Sequence, residues 1–202
     1  ITSTGLAAFI EKHGGVHHRF KRGYRNVINE SMRLNREGHD SQLAMETSGH
    51  GALKENYFLD DGAYLVTRLL IELARAKKEG YTLESLIADL AEPAESREFR
   101  MNLLCDDFKT YGQSVIDQLT AYAEAQAGWT LAPSNYEGIR VNLDKAHGDG
   151  WFLLRLSLHD PLMPLNIESD SAGGVKTIAG ELYAFLSGCE LLDTAALAEF
   201  VR

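Results

Sequence analysis

Cysteine, surplus positive charge and long apolar runs are what this sequence lacks, and each shortage excludes a class of function. Only 2 cysteines occur in 202 residues, Cys105 and Cys189. They stand far apart with no metal-type spacing, so a disulfide framework or paired-cysteine metal site is not expected, and a reduced, cytoplasmic setting is. Lys and Arg number 20 against 29 Asp and Glu, a formal net charge of −9. The one basic cluster, His17-His18-Arg19-Phe20-Lys21-Arg22, is too short to follow a phosphate backbone, so nucleic acid is not an expected partner. No apolar run approaches the ~20 residues that span a bilayer, and no signal peptide is evident, so no membrane partner is expected. The remainder is ordinary for a globular protein, with 45% hydrophobic and 24% charged residues, in a length that suits one large or two small domains.

The chain opens at Ile1 rather than methionine, inside a stretch that reads as a strand end, a Ser/Thr cap and a helix. It is therefore expected to be a fragment of a longer protein. Thr4–His13 reads as a short helix stopped by Gly14-Gly15, Val16–Phe20 as a strand, and Tyr24–Arg36 as a helix with Val27, Ile28, Met32 and Leu34 inward, ended at Gly38. Short strands are expected at Ser41–Met45 and Gly51–Leu53. Asp60 and Asp61 can cap a helix running to Lys78, with Tyr64, Leu65, Leu69, Leu70 and Leu73 at helical spacing. Alternating helices and strands indicate an α/β layer domain.

A linker with a short helix, Leu83–Leu90, follows, and beyond it the order changes. Ser96–Leu104 reads as a strand, Phe108–Gln126 as a helix, and Glu137–Leu143, Trp151–Ser157 and Met163–Glu168 as strands. Gly148-Asp149-Gly150 makes the first two a hairpin. Helices Val175–Leu186 and Thr194–Val201 close an α+β pattern. Trp129 and Trp151 read as core or hairpin packing. His13, His17, His18 and His39 with Asp40 fit no common metal spacing.

Two places carry chemistry. Glu46, Ser48 and His50 fall within five residues between Met45 and Gly51. In an extended segment their side chains point to one side, aiming an acceptor, a hydroxyl and an imidazole at one small polar target such as vicinal hydroxyls. His50 also fits a plain loop-ordering hydrogen bond, and Lys21 a solvated basic run. The second place is Arg155–Pro164, where Arg155 and Ser157 precede a His159-Asp160-Pro161 turn. An arginine fork, a hydroxyl and turn amides suit a dianionic phosphate. The spacing fits an ordinary hairpin with an exposed arginine equally well.

Taken in order, these residues resemble the third and fourth domains, the C-terminal half, of the α-D-phosphohexomutases, the phosphomannomutase/phosphoglucomutase family. The family's third-domain sugar loop reads Gly-Glu-x-Ser-Gly-His. Glu46-Thr47-Ser48-Gly49-His50 matches all but the first glycine, which is Met45 here. Lys54-Glu55 and Asp60-Asp61-Gly62 also fit. Phe20-Lys21-Arg22-Gly23-Tyr24 is similar to the segment that supplies an active-site lysine, with Lys21 at the matching position. The fourth-domain phosphate loop begins Arg-x-Ser, matched by Arg155 and Ser157, while Leu158 and His159 replace its usual Gly/Asn-Thr.

The resemblance implies a mixed-sheet α/β/α domain over residues 1–91, lacking its first strand. An α+β domain over 92–202 would follow, with a four-stranded antiparallel sheet and helices on one face. It implies the substrate-binding half of an enzyme interconverting hexose 1-phosphate and hexose 6-phosphate, of mannose or glucose, through a bisphosphate. Glu46 and Ser48 would bond the sugar's 3- and 4-hydroxyls in either of two flipped poses. Arg155, Ser157 and His159 would hold the phosphate that is not reacting, and Lys21 and His50 would bind substrate and assist proton movement. Mg²⁺ would be held by an Asp-x-Asp-x-Asp loop in another domain and the transferred phosphoryl group by a phosphoserine, with hexose 1,6-bisphosphate as activator and intermediate. Neither loop occurs in this sequence, so the chain alone is expected to bind without turning over. The alternative is a non-catalytic phosphosugar-binding module. An exposed sheet edge at the lacking strand could pair copies of the chain.

Overall fold

The computed structural model describes residues 1–157 and 160–202, which form two compact units, Ile1–Ala91 and Glu92–Arg202. In the first unit, helix α1 (Thr4–Lys12) starts where the Ser3 hydroxyl accepts from the Leu6 amide. Helix α2 (Tyr24–Arg36) follows, and Gly38, at φ +92°, lets the chain turn after it. Strands β1 (Leu43–Met45) and β2 (Gly51–Leu53) pair antiparallel with Ala44 opposite Ala52. Helix α3 (Gly62–Glu79) is capped by Asp61, whose Oδ1 accepts from the Tyr64 amide at 3.0 Å. That bond holds the Asp61 carboxyl below its usual range.

The hydrophobic cluster of this unit is small: Ile28, Ala44 and Ala52 are buried, with Val27 and Phe58 packed against them. Some expectations fail here. Val16–Phe20 forms no strand among the described residues. A strand is defined by its ladder, and none of the ladders among the described residues includes this segment; His18 ties it to α2 and Arg19 to Thr2. Met32 is exposed, while Glu30 and Ser31 take the buried places on α2 beside Ile28. The apolar row of α3 is real, but Leu69, Leu70 and Leu73 are exposed and only Ala76 is buried. Periodicity reports that a face exists, not that something covers it. The Leu83–Leu90 segment is a 3-10 turn at Glu84–Ile87 rather than a helix.

In the second unit the sheet has five strands, β3 (Glu95–Asn102), β4 (Trp129–Leu131), β5 (Ile139–Leu143), β6 (Gly150–Leu154) and β7 (Leu162–Ser169). Their order is β3-β7-β6-β5-β4 and every pairing is antiparallel. The sheet therefore exceeds the expected four by β4, which at three residues is too short to show alternation. Helices α4 (Phe108–Glu124), α5 (Gly174–Leu186) and α6 (Ala195–Val201) supply Val115, Leu119, Ile178, Leu182 and Leu197 to one core with Phe99, Phe152, Leu154 and Leu165 of the sheet. Each fully buried side chain of this size contributes about 1.5–3 kcal/mol.

Trp129 joins that core, edge-on to Phe152 at 5.3 Å. Trp151, one residue before Phe152, faces the other side of the sheet. The Arg140 guanidinium, 4% exposed, lies 3.6 Å from the centre of its ring, and its indole N–H donates to Glu168 at 3.2 Å. Burial pushes the Glu168 carboxyl above its usual range.

Candidate functional site

The residues with recognisable chemistry fall into one group in each unit. In the first, Glu46-Thr47-Ser48-Gly49-His50 is a hairpin loop between β1 and β2. It is closed by Glu46 N–H to the His50 carbonyl at 2.9 Å and Gly49 N–H to the Glu46 carbonyl at 3.0 Å. Gly49 at φ +91° makes the closure sterically accessible. The segment is thus a tight turn, and the even-numbered side chains do not line one face of an extended strand. Ser48 still meets Glu46, its hydroxyl donating to Oε2 at 3.5 Å. His50 turns elsewhere: its Nδ1 lies 2.8 Å from Asp60 Oδ2, and the Tyr24 ring stacks on the imidazole with centroids 5.0 Å apart and planes 23° apart.

The segment before α2 reaches this loop through its backbone. Gly23 N–H donates to Glu46 Oε1 at 2.5 Å. Gly23 sits at φ +106°, a conformation that aims its amide outward and that side chains resist. Lys21, two residues earlier, is exposed.

The approach of residues 16–23 is fixed by a buried carboxylate. Glu30, 6% exposed, accepts from Arg33 at 2.7 and 2.8 Å and pairs with His18 Nε2 at 2.9 Å. The Arg33 hydrogen bonds, with help from His18, hold the Glu30 carboxyl at about 2 against burial, which acts the other way. Glu30 escaped the sequence reading, and Gly23, Tyr24 and Asp60 entered it only within matched segments or as a helix cap, not as partners of the loop.

In the second unit β6 ends at Leu154, so Arg155 and Ser157 lie just past the strand. They stay registered on strand β7 through Arg155 N–H to the Pro164 carbonyl at 3.2 Å and Ser157 N–H to the Leu162 carbonyl at 3.0 Å. The Arg155 side chain is only 12% exposed and its Nη1 lies 3.7 Å from Glu137 Oε1. It is therefore not the solvated arginine of an ordinary hairpin. Ser157 Oγ accepts from the Asp160 amide at 3.3 Å. Gly138 permits the close packing behind this loop: at φ +70°, a Cβ there would stand 2.1 Å from the Leu154 carbonyl oxygen and 2.7 Å from Arg155 Cα. His159, expected to add a phosphate donor, lies outside the described residues.

Among the described residues no three His, Cys, Asp or Glu side chains converge on a point that could hold a metal ion. The described residues also include no helix long and apolar enough to cross a membrane. Cys105 and Cys189 form no disulfide.

These features can be set beside known proteins. The family model "Phosphoglucomutase/phosphomannomutase, alpha/beta/alpha domain III" matches residues 1–93. The chain is 29% identical over 182 residues to a phosphoglucomutase of Neisseria meningitidis, covering 90% of this chain and 36% of that protein. It is 31% identical over 175 residues to a phosphomannomutase/phosphoglucomutase of Pseudomonas putida, covering 86% and 34%. A solved structure of a phosphoglucomutase/phosphomannomutase family protein from Burkholderia thailandensis matches with a TM-score of 0.70 at 26% identity, over 93% of this chain and 36% of that one. The chain spans about a third of the length of the relatives it matches. A hairpin loop carrying Glu46, Ser48 and His50 inside the matched segment, and a likeness that runs on through the second unit, make this chain a member of the phosphoglucomutase/phosphomannomutase family.

Proposed function

We propose that this chain is the substrate-binding half of a phosphohexomutase that interconverts hexose 1-phosphate and hexose 6-phosphate, of mannose or glucose, in the cytoplasm. The observation that carries the reading is the β1–β2 loop, where a carboxylate and a hydroxyl lie side by side with an imidazole one residue past the turn glycine. Residues 1–91 would be the sugar-binding third domain and 92–202 the phosphate-binding C-terminal domain.

Glu46 accepts hydrogen bonds from sugar hydroxyls with the carboxylate capacity that Gly23 leaves, and Ser48 both donates and accepts. Arg155 supplies a forked cationic donor to the phosphate that is not reacting, and Ser157 a hydroxyl. The sugar must be read in two flipped poses, so both groups recognise features that survive the flip. Lys21, which is exposed, adds positive charge and a donor. Transfer itself would need the phosphoserine and the Mg²⁺ loop of a complete mutase, with hexose 1,6-bisphosphate as intermediate, so the chain alone binds and does not turn over.

Calorimetry with glucose 1-phosphate and mannose 1-phosphate tests this. Weak binding by the wild-type chain is expected, and Arg155→Ala should weaken it at least about tenfold, the worth of a charge-assisted bond to phosphate. Equal affinity in wild type and Arg155→Ala would remove the phosphate loop from the proposal. No binding of either sugar phosphate would remove the proposal itself.

A further inference from the structure

The structure assigns to Asp60 the task of fixing His50 in one tautomer, so that its Nε2 faces the sugar as a hydrogen-bond acceptor. The ligand in this inference rests on the phosphohexomutase reading, whereas the tautomer does not. Asp60 Oδ2 stands 2.8 Å from His50 Nδ1. An ionised carboxylate can only accept, so the proton of that bond belongs to Nδ1, and in neutral imidazole the lone pair is then on Nε2. Free imidazole side chains favour the opposite tautomer, with the proton on Nε2. The loop therefore needs a partner to hold the unusual form.

Asp60 is itself well placed for this. Its backbone bridges to Ala52 in β2, and the following residue, Asp61, is tied to the start of α3 through the Tyr64 amide. The face of the imidazole is held separately by the Tyr24 ring, 5.0 Å away and nearly parallel. Edge and face are thus fixed by two different elements, leaving the ring little rotational freedom. Such a carboxylate–imidazole pair determines both the tautomer and the orientation of the ring.

The consequence concerns what the loop can read. Glu46 and His50 Nε2 both present acceptors, with Ser48 between them in sequence. Each suits a donating hydroxyl of a neutral sugar, at separate points because the tight turn directs His50 away from Glu46. An acceptor-rich face beside two carboxylates is poorly suited to a phosphate dianion. Asp60 is accordingly a positioning residue: it acts through His50, and its loss should change which sugar groups the loop can accept.

The test is nitrogen NMR of the histidine ring in uniformly labelled chain, at a pH where His50 is neutral, for wild type, Asp60→Ala and Asp60→Asn. Wild type should show Nδ1 protonated and Nε2 bare. Asp60→Ala should move the proton to Nε2, and Asp60→Asn, whose carbonyl still accepts, should retain the wild-type tautomer. A merely structural Asp60 would leave the tautomer unmoved in Asp60→Ala, and that result overturns the assignment, as does an Nε2-protonated wild type. Folding of each variant is read from dispersion of the amide spectrum. Should Asp60→Ala not fold, the wild-type spectrum decides, a ring protonated on Nδ1 supporting the assignment and one protonated on Nε2 overturning it, because the Asp60→Asn amide can donate as well as accept.

In the same samples glucose 1-phosphate should shift the His50 Nε2 resonance in wild type and Asp60→Asn, with affinity about 3- to 10-fold weaker in Asp60→Ala. A wild-type Nε2 that ignores the sugar phosphate overturns the hexose-phosphate reading of the loop. The Asp60 tautomer is then judged on its own arm.

Discussion

Glu30→Gln isolates the charge that anchors the Lys21 segment. The carboxyl is held at about 2 rather than 4.5, with the Arg33 hydrogen bonds as the main cause. At about 1.4 kcal/mol per pKa unit, the full depression corresponds to roughly 3 kcal/mol of linked stability. Arg33 and His18 are 43% and 34% exposed, so solvent screens part of this and about 1–3 kcal/mol is the expectation. The sign follows from the direction. A depressed carboxyl stabilises the fold fully above its unfolded value near 4.5, and the contribution is lost as pH falls toward about 2. Glu30→Gln should therefore cost about 1–3 kcal/mol near pH 7, and the gap to wild type should close steadily below pH ~4.5.

Urea unfolding followed by far-UV circular dichroism, with hydrogen exchange of the α2 amides, measures this. Tryptophan fluorescence does not, because Trp129 and Trp151 both lie in the second unit. A gap of the same size at pH 3 as at pH 7 would refute the electrostatic account and leave only side-chain shape. No gap at either pH would show that the network contributes nothing.

Gly138→Ala should destabilise the second unit by more than about 1 kcal/mol, because it adds a Cβ 2.1 Å from a carbonyl oxygen at φ +70°. It should also weaken sugar-phosphate binding by displacing Arg155; urea melts by tryptophan fluorescence and calorimetry check both, and wild-type values in both would contradict the packing argument. We propose that the outer edge of β1, which has no ladder partner among the described residues, pairs copies of the chain, since Leu43 and Met45 are exposed there. Sedimentation should show concentration-dependent association that Leu43→Lys removes; a chain that stays monomeric throughout would exclude it.

Elements whose causes lie within a few residues could be read directly from the chain. Asp61 capping α3, Gly38 ending the α2 segment, and the helical spacing of α3 all follow from local hydrogen bonding and side-chain periodicity. The sugar-type loop was equally visible, since five adjacent residues carry it. Anything decided by a distant partner was not. Val16–Phe20 has strand composition, yet strand identity requires a ladder, and a side-chain bond from His18 to Glu30 holds the segment instead. Nothing in the helical spacing singled out Glu30, which is buried through Arg33 and His18.

The sequence alone thus determined the kinds of group in the loop and most of the helices, and its motifs carried the resemblance to the family. The fold alone decided that Arg155 is largely buried beside Glu137, that Glu46 is bound by the Gly23 amide, and that His50 turns to Asp60. The reason is physical: a motif specifies which donors and acceptors are present, but the direction of a lone pair depends on the neighbour that claims the opposite side of the group, and that neighbour is brought in by tertiary contacts.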